Sequence, residues 1–318
     1  MNRRQLVGAV SALLLLAGPA AATMYDSASL AAERSRIAGR LDELRAVVLR
    51  FVPAGGSDLA NVRIAVPDVA PNGDPMGFMT RGDQVIMPLA GLRFIEDLTM
   101  AYAWRYEAGR SLEPMSEYLA MLRHKPLADW PGGRHLDPLD ALGVPPAIWE
   151  RDPSVGALGT ALRNEAWAFV LAHELAHVYH RHPGNRGVSP AESQANEREA
   201  DLFALTTMER SDTIPLGAIL YFEATAAFYA SRADAPSNAA WAQWQREDAT
   251  HPVNSQRLLA MARYLVDWAD RAAPQRGEVL RFIGRRLERI ARDLDVPEMQ
   301  QLIVRRAVHG DPRDLADR

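Results

Sequence analysis

Cysteine is absent from all 318 residues. The chain therefore forms no disulfide, presents no thiol nucleophile, holds no iron–sulfur cluster and carries no lipid on an N-terminal cysteine. Any bound metal must be held by His, Asp or Glu. Excess positive charge is lacking as well: 36 Lys and Arg stand against 40 Asp and Glu, a formal net charge of −4, which argues against nucleic acid as a partner. After the N-terminal region no apolar run reaches the length of a bilayer span. The nearest, residues 216–230, carries Glu223 and reads as a core helix, so an integral membrane protein is not expected. There is no internal repeat and no low-complexity tract. What remains is ordinary globular composition, 48% hydrophobic and 24% charged, enough for one large domain to bury a full core.

The first residues follow the plan of a secretory signal peptide. Arg3 and Arg4 make a basic start, residues 6–17 are apolar, and residues 18–22 are small, so cleavage is expected after about Ala22. Residues 2–7 also fit a loose twin-arginine pattern, and general secretion and twin-arginine export both stay open. Removing residues 1–22 takes away two arginines and no acids, leaving a formal charge of −6. The expected location is the periplasm or another exported compartment.

Along the mature chain, residues 27–51 show helical spacing, with Leu30, Ile37, Leu41, Leu44, Val47 and Val48 recurring at threes and fours. Alternation at Val62, Ile64 and Val66, a turn signal at residues 71–75 and Gly82-Asp83 between two short runs predict a small, mostly antiparallel sheet with a hairpin. Residues 90–105 return to helical period. Residues 106–155 are richer in Pro, Gly and Trp and read as a loop-rich insertion, a candidate lid. From Gly156 onward the pattern is almost wholly helical.

The chemistry concentrates at His173-Glu174-Leu175-Ala176-His177. Four residues are one helical turn, so both imidazoles point the same way and can bind one ion. Neutral imidazoles suit zinc, and two of them with one carboxylate leave a fourth position for water. Glu174, beside the first ligand, can take a proton from that water. A second helix opens at Ser189-Pro190-Ala191-Glu192, with Ser as N-cap and Pro at the first helical position. On it Glu197 shares an apolar stripe with Ala200, Asp201, Ala204 and Met208. A carboxylate there needs a partner, which makes Glu197 the third ligand of one zinc ion per chain. Asp201, one turn on, either accepts the N–H of His173 or makes an ordinary helix salt bridge. Glu199 falls on the solvated face. The longer zinc motif, with Gly and a third His further on, fails because His180 and Pro183 occupy those positions. His180 and His182 are expected at the exposed helix end before Pro183 stops it.

These residues resemble the HtpX-like and CaaX-prenyl-protease-like gluzincins. The likeness rests on residues 173–177, on Glu197-Arg198-Glu199-Ala200-Asp201-Leu202-Phe203-Ala204, and on Thr250-His251-Pro252 with Arg257 five residues after the proline. Gly77-Phe78 and residues 84–87 followed by Gly91-Leu92 look like that family's hairpin beside the cleft. The resemblance implies that Glu197 is a metal ligand. It implies that His251 either hydrogen-bonds the developing oxyanion or occupies the open zinc position at rest, and that Arg257 orients His251 or binds substrate carbonyls. It implies too that Gly77, Phe78 and Met79 line the substrate strand. The span between hairpin and zinc helix, residues 93–156, is longer than that family leads one to expect, and its membrane spans are missing.

Together these readings predict a predominantly helical α+β fold with a zincin-like core and a small sheet beside the zinc helix. Residues 23–274 form the peptidase domain and residues 275–318 a helical extension. The expected activity is a zinc metalloendopeptidase that cleaves extended or misfolded envelope proteins, with Glu174 as general base. Two alternatives stand beside it: a zinc-stabilised chaperone or scaffold, and a zinc hydrolase of non-peptide amides or esters. In residues 280–294 an apolar stripe lies beside Arg281, Arg285, Arg289 and Arg292. That basic row is either a solvated face or a peripheral docking face for anionic lipid or a partner protein.

Overall fold

The computed structural model describes residues 24–53, 56–70, 77–183, 188–228, 237–247 and 255–318. Residues 1–22, the turn at 71–75 and His251 lie outside them. Asp26 starts the first helix, α1 (Ser27–Phe51), by accepting the Ser29 N–H at 2.7 Å. The buried stripe of α1 is Leu30, Ile37, Leu41 and Val48; of the other residues in the predicted spacing, Leu44 is half-buried and Val47 is exposed.

Three short strands follow, β1 (Arg63–Ala65), β2 (Met79–Arg81) and β3 (Gln84–Ile86). Gly82, at φ 60°, and Asp83 close the β2–β3 hairpin, a turn whose left-handed position favours glycine. β2 pairs antiparallel with β3, placing Thr80 opposite Val85, while β1 pairs parallel with β3, Ile64 opposite Val85. The order is β1-β3-β2, so the sheet is mixed rather than antiparallel throughout. The tight hairpin uses one edge of β3, and β1 can join only at the other.

The remainder is helical: α2 (Leu89–Glu107), α3 (Glu113–His124), the short α4 (Pro138–Ala141) and α5 (Ile148–Arg151), α6 (Pro153–Tyr179), α7 (Pro190–Arg210), α8 (Leu216–Phe228), α9 (Asn238–Glu247), α10 (Ser255–Arg271), α11 (Pro274–Asp295) and α12 (Pro297–His309). The protein is thus α+β and predominantly helical. α6 is the central element, packed by α2, α7, α8 and the β2 strand. Its face of Leu162, Ala166, Phe169, Val170 and Ala176 is wholly buried. Residues 106–155 hold α3, α4 and α5 and are anchored by buried Tyr118, Met121 and Trp130; α3 packs on α8 and α12. α11 lies along α10 and buries Leu280, Ile283 and Leu287 in the same hydrophobic core. Among the described residues no helix is long and apolar enough to cross a membrane.

Candidate metal centre

α6 begins at a defined point. Asp152 accepts the Ser154 and Val155 N–H groups, and Pro153 takes the first helical position. Six turns later the helix brings His173 and His177 to one side. α7 is fixed in the same way, with Ser189 accepting the Glu192 N–H at 3.2 Å, and it crosses α6 so that Glu197 meets both rings. Nε2 of His173 stands 3.3 Å from Nε2 of His177. Glu197 places Oε2 3.4 Å from the first ring and Oε1 3.6 Å from the second. Ligand atoms held about 2.0–2.1 Å from a tetrahedral zinc stand about 3.3 Å from one another. Each spacing is near that edge length, but Glu197 meets the two rings with different oxygens, so one oxygen must turn toward both rings to complete a tetrahedral set.

Behind the donors lies a buried frame. Asp201 Oδ1 is 3.0 Å from Nδ1 of His173, close enough to keep the proton on Nδ1 and the lone pair on Nε2, although the ring N–H does not aim straight at it. Phe169 stacks under the same ring. Arg257, on α10, donates from Nε and Nη2 to the two Asp201 oxygens, each at 2.8 Å. Its Nη1 lies 3.0 Å from Glu197 Oε2. Burial alone would raise Asp201, but Arg257 and then His173 hold it below the usual carboxylate range.

Charge supplies an independent test of fit. Glu174, Glu197 and Asp201 are all buried, and Arg257 is the buried cation set against them. Among the described residues this cluster carries two surplus negative charges, the complement of one divalent ion. The His173 ring reports the same demand: burial would lower it, yet Asp201 and Glu197 push it up to about 10. A site that draws a proton so strongly onto a metal-type nitrogen suits a cation there. Residues, spacing and charge fit zinc.

Glu174 projects from α6 beside these ligands. The Thr80 hydroxyl of β2 lies 2.9 Å from Glu174 Oε2 and 2.8 Å from the Glu174 carbonyl, which ties the edge strand to α6. Gly77 and Phe78 are buried and Met79 is half-buried; Phe78 meets the Tyr221 ring edge-on, centroids 6.3 Å apart. The Tyr221 phenol, raised first by burial and then by the Glu174 charge, stays protonated. Neither Thr80 nor Tyr221 was visible from the sequence, since each belongs to an element whose own pattern reads only as strand or core helix.

The end of α6 differs from the expectation. Pro183 does not stop it. The helix closes two residues earlier, with Arg181 at φ 56°, its N–H bonded to Val178 O and the His182 N–H to His177 O. This is a Schellman closure. It turns the chain back, so that His182 Nδ1 lies 2.9 Å from His177 Nδ1 and His182 Nε2 lies 3.0 Å from Glu199 Oε2. His182, expected at an exposed end, is 7% exposed along its side chain. Glu199, expected to be solvated, is half exposed and faces two rings.

Residues 145–273 match the family described as Peptidase U49, and this span contains every described residue of the centre except those at 77–80. No curated protein and no solved structure matches the chain.

Proposed function

We propose that this chain is a zinc-dependent endopeptidase of exported compartments, cleaving extended or misfolded envelope proteins. The observation that carries the proposal is the convergence of His173, His177 and Glu197 within metal-ligand reach of one another, with Glu174 next to them. The likeness of residues 145–273 to a peptidase family supports the reaction class. The finer resemblance to HtpX-like gluzincins rests on the three motifs in the sequence.

When bound, zinc supplies Lewis acidity, activating water and polarising the scissile carbonyl. The chain's own residues do the rest. Glu174, steadied by Thr80, accepts a proton from the attacking water and returns it to the departing amine. Tyr221, protonated at neutral pH, faces the same buried cluster and serves as a hydrogen-bond donor to charge developing on the carbonyl oxygen. His251 remains a second candidate for that task. Arg257 acts through the ligands, holding Glu197 and Asp201, rather than on substrate. An extended substrate would add along the outer edge of β2, with backbone hydrogen bonds giving affinity and Met79 beside the cleaved residue. Recognition of this kind favours unfolded chains over particular side chains.

The test is metal analysis of the protein lacking residues 1–22, beside cleavage of an unfolded protein such as casein. One zinc per chain, cleavage abolished by chelator and restored by zinc, and loss of cleavage with zinc retained in Glu174→Gln are the expected results. A Glu174→Gln protein with unaltered biological activity would establish a scaffold instead. Zinc without cleavage of any peptide in a broad library would point to a non-peptide amide or ester.

A further inference from the structure

The closure of α6 assembles a second group of metal-type donors outside the centre just described. His180 Nδ1 lies 3.3 Å from Glu199 Oε1, and His182 Nε2 lies 3.0 Å from Glu199 Oε2. The two rings stack with an interplanar angle of 15°, which sets their nitrogens side by side toward one carboxylate. The ligand atoms of all three residues lie within 4.8 Å of one another, on the same scale as the first site. No lysine or arginine pairs with Glu199 among the described residues. Glu199 is 52% exposed and His180 25%, so the group is open to solvent on one side.

We propose that His180, His182 and Glu199 form a second, weaker site for a divalent ion of the zinc class, whose filling disturbs the first. Two imidazoles with one carboxylate suit zinc and its first-row neighbours better than calcium or magnesium. Exposure and the low count of protein donors make the site weaker than the buried one.

The coupling follows from counting protons, and it rests on the proposed role of His177 as a ligand. With Nε2 of His177 committed to the first ion, its proton sits on Nδ1 and is donated to His182 Nδ1, 2.9 Å away. His182 then carries its own proton on Nε2, donated to Glu199. His182 thus orients His177, as partners behind metal ligands generally do. A second ion on His182 Nε2 must displace that proton. The His177–His182 contact cannot persist unchanged, because one neutral ring cannot accept from His177 and bind an ion while keeping a proton.

The test titrates chelator-treated protein with zinc alone, by calorimetry, in the wild type, His180→Ala and Glu199→Gln. Circular dichroism checks folding in each. The wild type is expected to bind one zinc tightly and a second more weakly, and both variants to lose only the weaker step. Proteolysis by the wild type is expected to fall about tenfold as the second step fills, while His180→Ala keeps its activity throughout. The proposal is overturned if the wild type binds a single zinc that both variants retain, or if a second zinc binds equally well in both. Persistent inhibition of His180→Ala by excess zinc would overturn the coupling. Absence of any zinc binding would sink this proposal and the peptidase reading together, whereas a single tight zinc would leave the latter intact.

Discussion

Arg257 and Asp201 lock together through two parallel hydrogen bonds of 2.8 Å, from Nε and Nη2 to the two carboxylate oxygens, and both side chains are buried. The third guanidinium nitrogen reaches Glu197. One residue from α10 therefore fixes two carboxylates of α7, one a candidate metal donor and the other behind His173. Lysine, a point charge, could not reproduce this fork.

Replacing Arg257 by Met leaves three buried carboxylates without their cation. Removing one partner of a buried charge pair costs about 3–5 kcal/mol, and that loss should appear in chelator, where no metal offsets the surplus charge. Saturating zinc should recover a large part of it. Urea unfolding of wild type and variant, with chelator and with zinc, reads the difference directly. Equal destabilisation under both conditions would mean that Arg257 serves packing alone.

Thr80→Val keeps the shape of the β2 side chain and removes its hydroxyl. A hydrogen bond to a charged group is worth about 1.5–3 kcal/mol, so kcat should fall roughly tenfold or more. Zinc content should stay at the wild-type level because Thr80 touches no ligand. Thr80→Ser should recover most of the rate. If Thr80→Val loses zinc in proportion to activity, Thr80 acts on the site as a whole and not on Glu174.

The convergence of the candidate donors was legible because helices have a fixed period. His173 and His177 sit one turn apart, and Glu197 interrupts an apolar stripe, so each declared itself within its own helix. The ends of α6 and α7 were half legible: Asp152, Ser189 and the two prolines mark the starts, but Arg181 in a left-handed conformation gives no sign in composition, and Pro183 looked like the natural stop. His182 was misplaced for that reason alone. Thr80 with Glu174, Tyr221 with Glu174 and Arg257 with Asp201 are pairings between residues 94, 47 and 56 positions apart, and a periodic reading of one segment cannot register them. The parallel pairing of β1 with β3 escaped for the same cause, since alternation at Val62, Ile64 and Val66 sets a strand's faces and not its neighbour. Residues 106–155 looked loop-rich because Pro and Gly punctuate them densely. Between those marks Met115, Tyr118, Leu119 and Leu122 make a buried helical face.

Gly217 marks a close approach of α8 to α6. A Cβ there would stand 2.0 Å from the Leu162 carbonyl oxygen and 2.8 Å from the Ala166 nitrogen, and neither backbone atom can swing aside as a side chain would. Gly217→Ala should push α8 away from α6. Overpacking of this kind costs about 1–3 kcal/mol. Since α8 carries Tyr221, turnover should fall alongside the melting temperature. A variant with wild-type stability and rate would show that α8 is free to shift without consequence for the site.

Glu165 sets the pH dependence of the same junction. Its Oε2 accepts the Gly217 N–H at 2.8 Å, yet burial outweighs that bond and the Leu216 one and raises the carboxyl from 4.5 to about 7. The folded protein therefore holds a proton that the unfolded chain releases between pH 4.5 and 7, and the contribution of this group to stability falls as pH rises through that window. Above it the fold must keep a charge away from water. Glu165→Gln retains an acceptor for Gly217 and carries no charge, so it should stabilise the protein at pH 8 by at most about 3 kcal/mol. At pH 4.5, where the wild-type carboxyl is already neutral, it should change little. Thermal unfolding of both proteins from pH 4.5 to 8, in chelator so that metal binding does not intrude, should give curves that diverge with rising pH. Parallel curves would mean that Glu165 is ionised in the fold at ordinary cost and that α8 is seated by packing alone.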